Sequence, residues 1–245
     1  MGFRIRGNKI ILPINKKEII HHEHGLGKLD KVVVQQRNSL GFRGPEPPAD
    51  FSRDLTIVTV GGSTTECFDL AEDKTWPHDL DVKLQRHFKH LWLNNAGLSG
   101  NSTFGHYILM KDYLIKLKPQ VVVFLVGIND VGLHRERDFD ERIHEANFRS
   151  LERCLASAAV HSELAAAALN LYRFYFPKSN LINNQNDPQE IDLKKLPHFD
   201  VSPEKRAALI KEHRDHYLGP YKKRLEKLHT ICRQHHITPV LVTQP

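Results

Sequence analysis

Three short segments concentrate the groups able to do chemistry: Gly61-Gly62-Ser63-Thr64-Thr65-Glu66, Asn95-Ala96-Gly97-Leu98-Ser99-Gly100-Asn101 and Gly127-Ile128-Asn129-Asp130. Ser63 offers a hydroxyl nucleophile, the second segment a glycine-rich loop with free backbone N–H groups, and Asn129 a side-chain carboxamide. A nucleophile with convergent donors for a developing oxyanion is what acyl transfer requires. Taken singly, each segment reads equally well as ordinary turn chemistry. The weight lies in their recurrence at three consecutive strand ends.

The elements that must position them follow from hydrophobic patterning. Leu55–Val60, Leu91–Ala96 and Val121–Val126 are short apolar runs, each passing into one of the three segments, and they read as buried parallel strands. Helices are expected from Thr75 to about His90, with Pro77 in the first turn, and from about Thr103 to Leu117. The alternation of strand, glycine loop and helix implies right-handed crossovers and a parallel sheet covered by helices. In such a sheet reactive groups gather at the carboxyl ends of the strands. Farther on, Asp140 to about Leu171 reads as helical and residues 177–201 as loop-rich. Ser202 should cap a long helix opening at Pro203 and Glu204, with a kink or interruption expected at Gly219-Pro220. Thr238–Thr243 reads as a fourth core strand. Upstream, Phe3–Arg6 and Lys9–Ile14 flank Gly7-Asn8 as a small hairpin, Lys31–Gln36 suggests another strand, and Gly44-Pro45-Glu46-Pro47-Pro48 punctuates the chain.

In order and separation the three segments resemble blocks I, II and III of the SGNH/GDSL hydrolases, well over about residues 55–132 and by topology elsewhere. The resemblance implies an α/β fold, a three-layer α/β/α sandwich with a parallel, flavodoxin-like sheet. It divides the chain into an N-terminal extension (1–50) and a hydrolase-like domain (51–245), C-terminally incomplete, with an insertion at about 170–201. It further implies that Ser63 is the nucleophile. The backbone N–H groups of Ser63 and Gly100 and the Asn129 amide would form the oxyanion hole, with Asp130 steadying the third loop. The family's Gly-Asp-Ser appears here as Gly-Gly-Ser. A rival G-x-S-x-G elbow would need glycine where Thr65 stands. Asn38-Ser39-Leu40-Gly41-Phe42-Arg43-Gly44 resembles a segment upstream of block I in some bacterial branches, expected to brace the active-site face.

The family's base lies in a C-terminal D-x-x-H motif, and no aspartate of residues 1–245 is followed three positions later by histidine. The pair, a last strand and a closing helix are expected beyond Pro245, so these residues alone are expected to be inactive. His134 follows the third loop on the correct edge. His235 and His236 precede the fourth strand, on the wrong edge, and Glu226 and His229 share the helix leading to it. The function implied is a serine-dependent acyl ester hydrolase working through an acyl-enzyme on Ser63, on a small-molecule or carbohydrate ester. A carbohydrate O-acyltransferase and a non-catalytic binding module lacking the base are the alternatives.

Composition sets outer bounds. Of 245 residues, 40% are hydrophobic and 26% charged, as in globular domains. The net charge of +6 is spread among acidic residues along expected helices, which argues against a nucleic-acid face. Cys67, Cys154 and Cys232 lack metal or disulfide spacing, and no cofactor or metal is expected. His21-His22-Glu23-His24 reads as adventitious at most. No apolar stretch approaches the ~20 residues that span a bilayer, and Met1–Lys9 is too polar for a secretory core. Relatives of this bacterial branch suggest the envelope, so extracytoplasmic and cytoplasmic locations both stay open, as does oligomeric state. Tyr172, Phe174, Tyr175 and Phe176 are candidates for a pocket wall or for core.

Overall fold

A computed structural model describes residues 3–5, 9–22, 29–131, 158, 162–175, 178–182 and 201–243. His134 and most of the helix expected over 140–171 lie outside the described residues. The strands are β1 (Phe3–Ile5), β2 (Lys9–Ile11), β3 (Lys17–His22), β4 (Val32–Gln36), β5 (Leu55–Gly61), β6 (Leu91–Asn95), β7 (Val121–Leu125), β8 (Lys178–Ile182) and β9 (Thr238–Val242). The central sheet has the order β6-β5-β7-β9 and every pairing in it is parallel.

Alternation along these strands supplies two apolar faces, as the two-residue period of a strand demands. Val58, Val60, Trp92, Val122 and Phe124 join the main core with helix residues Ile108, Leu109, Met110, Leu114, Leu228, Ile231 and Cys232. Ile57, Leu93 and Val123 point the other way, onto Trp76, Leu80 and Leu84. Burying one such side chain contributes about 1.5–3 kcal/mol. The result is the three-layer α/β/α architecture the sequence implies. No helix among the described residues is long and apolar enough to cross a membrane.

The helices follow local rules. In α1 (Ser63–Glu66) a single turn starts directly from Gly62. For α2 (Trp76–Leu84), the Thr75 side chain caps the start by accepting the His78 N–H, and Pro77 occupies the first turn. It stops six residues short of the expected His90. Residues 85–90 are all exposed, so no apolar face sustains another turn. α3 (Thr103–Leu109) passes through a π-type turn (Met110–Leu114) into α4 (Ile115–Leu117) and ends at Lys118 with φ +53°. Then come α5 (Glu163–Tyr175), α6 (Pro203–His213) and α7 (Gly219–Gln234). Gly219-Pro220 opens the last helix, so the long helix expected from Pro203 is divided at that point into α6 and α7. A second π-type turn (Arg214–Leu218) sits just before it, and such widening relieves the proline's missing N–H and its clash with the preceding turn.

The first fifty residues reach into the core. Ile10, Leu12 and Phe42 are buried in the main cluster, and Arg43 pairs with Asn95 in an antiparallel bridge at the end of β6. β1 and β2 form the expected antiparallel hairpin. β3 joins antiparallel β4 and parallel β8 in a second sheet, and β8 lies within the stretch the sequence reads as loop-rich.

Candidate active site

The end of β5 turns straight into α1, which leaves Ser63 exposed at the first helical position. Gly61 and Gly62 make that turn sterically feasible. A Cβ on Gly61 would stand 2.0 Å from Thr65 Oγ1, and one on Gly62 2.3 Å from Asn129 Nδ2. Where the family motif carries aspartate, this chain therefore has no room for a side chain, because the Asn129 amide already occupies it.

The three chemical segments meet through hydrogen bonds. Leu98 N–H donates to Gly61 O at 3.0 Å, and Asn95 Nδ2 donates to Thr65 O at 2.7 Å. Asn129 Nδ2 donates to Asn101 O at 2.9 Å, tying the third segment to the second. Gly100 lies in a turn closed by Asn101 N–H to Leu98 O at 3.0 Å, with φ +75°. A positive φ at the third residue of a turn is what glycine supplies without strain. Asp130 is buried. Its carboxylate accepts from Thr103 N–H and Oγ1 and from Arg224 Nε, and Arg224 Nη2 lies 3.1 Å away. The third segment is thereby fastened to the start of α3 and to α7.

Several buried charges escape the sequence reading. Arg43, fully buried, donates to the carbonyls of Glu66, Cys67 and Leu70 and to the Glu72 carboxylate. The carbonyls following the single turn of α1 are thus satisfied by the segment expected to brace this face. Glu66 is fully buried too, and its carboxylate accepts from Arg37 Nη2 and from the Ser99 N–H. Burial works to raise the Glu66 carboxyl, but the Arg37 charge and the Ser99 hydrogen bonds help hold it below the ordinary carboxylate value. Burial lowers the Arg37 guanidinium from its ordinary value, opposed by Glu66. Only Arg43 carried a sequence signal, in its motif. The partners of Arg37 and Arg224 are 29 and 94 residues away.

Among the described residues, the other candidate histidines are placed away from Ser63. His235 and His236 line a cavity with Lys118, Pro119 and Gln120, at the amino ends of β7 and β9. Glu226 and His229 are exposed on α7. The His22 ring faces Asp30 O at 2.7 Å and Asp69 Oδ1 at 3.3 Å.

Among solved structures, the chain is similar to TesA (15% identity, 75% of this chain and 76% of the other, TM-score 0.30). It is also similar to the psychrotrophic esterase EstA from Pseudoalteromonas sp. (14%, 77% and 78%, TM-score 0.31). A third is a catalytic mutant of the acetylxylan esterase Axe2 from Geobacillus stearothermophilus (18%, 77% and 75%, TM-score 0.31). No curated protein matches the sequence. The profile of the GDSL-like lipase/acylhydrolase family matches residues 59–194, more than half of the chain and spanning all three chemical segments, and the protein belongs to that family.

Proposed function

We propose that the protein hydrolyses an acyl ester through a covalent acyl-enzyme on Ser63. The observation carrying this reading is the contact between Gly62 and the Asn129 amide, which sets a carboxamide donor directly beside the serine's own backbone. One N–H of the Asn129 amide is taken by Asn101 O, fixing the orientation of the group. The second N–H is then the one to receive an oxyanion, together with the N–H groups of Ser63 and Gly100.

In this reaction Ser63 Oγ bonds to the acyl carbon while its proton passes to an imidazole base. Collapse of the tetrahedral intermediate breaks the ester C–O bond, and the proton moves to the departing alcohol. Water then repeats the attack and releases the acid and free Ser63. Asp130, held by Thr103 and Arg224, keeps the Asn129 loop in place and stays outside the proton path.

The test is hydrolysis of p-nitrophenyl acetate by the full-length protein beside its Ser63→Ala variant. Activity lost with Ser63 while the circular dichroism spectrum is unchanged supports the reading. A well-folded full-length protein with no activity on the ester, yet able to move its acyl group to a sugar hydroxyl, would replace hydrolysis by transfer.

A further inference from the structure

Glu66 is a carboxylate with no exposed surface, three residues after Ser63, and the proposed chemistry gives it no task. Removing an ionised carboxyl from water costs several kcal/mol unless it is paired and hydrogen-bonded. Both conditions are met. One oxygen accepts from Arg37, itself buried, and the other from the N–H of Ser99. Arg37 Nη1 also donates to Gly97 O at 3.4 Å. The close fit extends to the backbone: a Cβ on Gly97 would stand 2.3 Å from Glu66 N.

What the carboxylate grips is the residue before Gly100, the expected oxyanion donor. Leu98, Ser99, Gly100 and Asn101 form a turn whose closing bond is 3.0 Å and whose third residue has φ +75°. That sign of φ marks a turn of type II. Types I and II differ by a half-rotation of the central peptide, here Ser99–Gly100, whose N–H is the Gly100 donor. A turn free to exchange between the two would point that N–H toward an oxyanion only part of the time. We infer that Glu66, paired with Arg37, is a positioning residue that anchors Ser99 and thereby fixes the direction of the Gly100 N–H. The inference rests on the proposed role of Gly100. It makes the helix bearing the nucleophile also the clamp on the opposing donor.

Two variants of the full-length protein test this. Glu66→Gln keeps the shape but replaces a two-sided acceptor by a group that can accept on one side only. Arg37→Met combined with Glu66→Leu removes both charges and leaves none buried alone. Each is expected to keep its fold, with kcat on p-nitrophenyl acetate lowered about 10- to 100-fold and KM within about twofold, as loss of donor alignment demands. The Gly100 amide cross-peak in a 1H–15N spectrum is expected to shift or broaden in both. A folded variant with native kcat, or with an unmoved Gly100 cross-peak, overturns the inference. An unfolded double variant overturns it as well, since the pair would then hold the fold rather than the turn. Ser63→Ala is run alongside. Hydrolysis that survives it refutes the nucleophile assignment, and the Gly100 cross-peak alone then decides the role of Glu66.

Discussion

Gly62→Ala should remove activity while leaving the fold nearly as stable as before. The added Cβ would start 2.3 Å from Asn129 Nδ2, where ordinary contact begins at 3.4 Å, so the amide must retreat by about 1.1 Å. Its hydrogen bond to Asn101 O, 2.9 Å at rest, then stretches toward about 4 Å and is lost. Losing an aligned oxyanion donor costs about 2.7–4 kcal/mol in the transition state, or roughly 100- to 1000-fold in kcat. The stability ledger is far smaller. One hydrogen bond contributes about 0.5–1.5 kcal/mol, offset by about 0.4–1 kcal/mol because alanine restricts the unfolded chain. Gly62 has φ −86°, so no left-handed strain is added. Tm should move by no more than about 4 °C. Kinetics with p-nitrophenyl acetate and a thermal melt measure both sides. Asn129→Ala should reproduce the kinetic loss, and the double variant should be no worse than either, because both act through one amide. Native kcat in Gly62→Ala, or additive losses in the double variant, would refute the placement of Asn129 as an oxyanion donor.

Three further outcomes are expected. Arg43→Met leaves the buried carbonyl of Glu66 and the half-buried carbonyls of Cys67 and Leu70 without their donor, so the protein should lose about 3–5 kcal/mol in urea unfolding; a loss under 1 kcal/mol would show those carbonyls finding other partners. The carboxyl of Glu66 titrates below its ordinary value of 4.5 in the folded protein, so its contribution is complete above that pH and is lost as pH falls through the folded value. The stability gap between the native protein and Glu66→Gln should therefore narrow as urea midpoints are followed downward from pH 5, and a gap independent of pH would contradict this. Burial pushes the Cys232 thiol up to about 11, so mass mapping after thiol labelling at pH 8 should find it unmodified in the folded protein and modified in urea.

What was legible in the sequence was whatever the chain writes locally. Leu55–Gly61, Leu91–Asn95 and Val121–Leu125 are predominantly apolar or β-branched because both faces of the sheet are covered, and the loops after them display their chemistry in consecutive residues. β3 was not legible. Its inward residues Glu18, Ile20 and His22 include two polar ones, made tolerable by Lys16 at 2.7 Å from Glu18 and by Asp30 and Asp69 around His22. A strand whose buried face is polar carries no alternating hydrophobic signal. The same holds for Arg37, Glu66 and Arg224: on paper they are surface residues, and only tertiary contact turns them into interior ones. Helix ends depart from the sequence pattern where packing decides, as beyond Leu84.

The strand order has a consequence for the sequence of events in folding. β5 comes first among the four strands of the central sheet and lies inside it; β6 adds to one side of it, β7 to the other, and β9, largely exposed, to the outer edge of β7. Each arriving strand finds an open edge, and none has to wedge between two already joined, so a chain emerging from its N-terminus can build this sheet by accretion. The small sheet behaves differently. β3 meets β4 within a few residues but waits for β8, some 160 residues later, to complete its other edge. Closing so long a loop is slow, and until it happens one edge of β3 is open to any strand that passes.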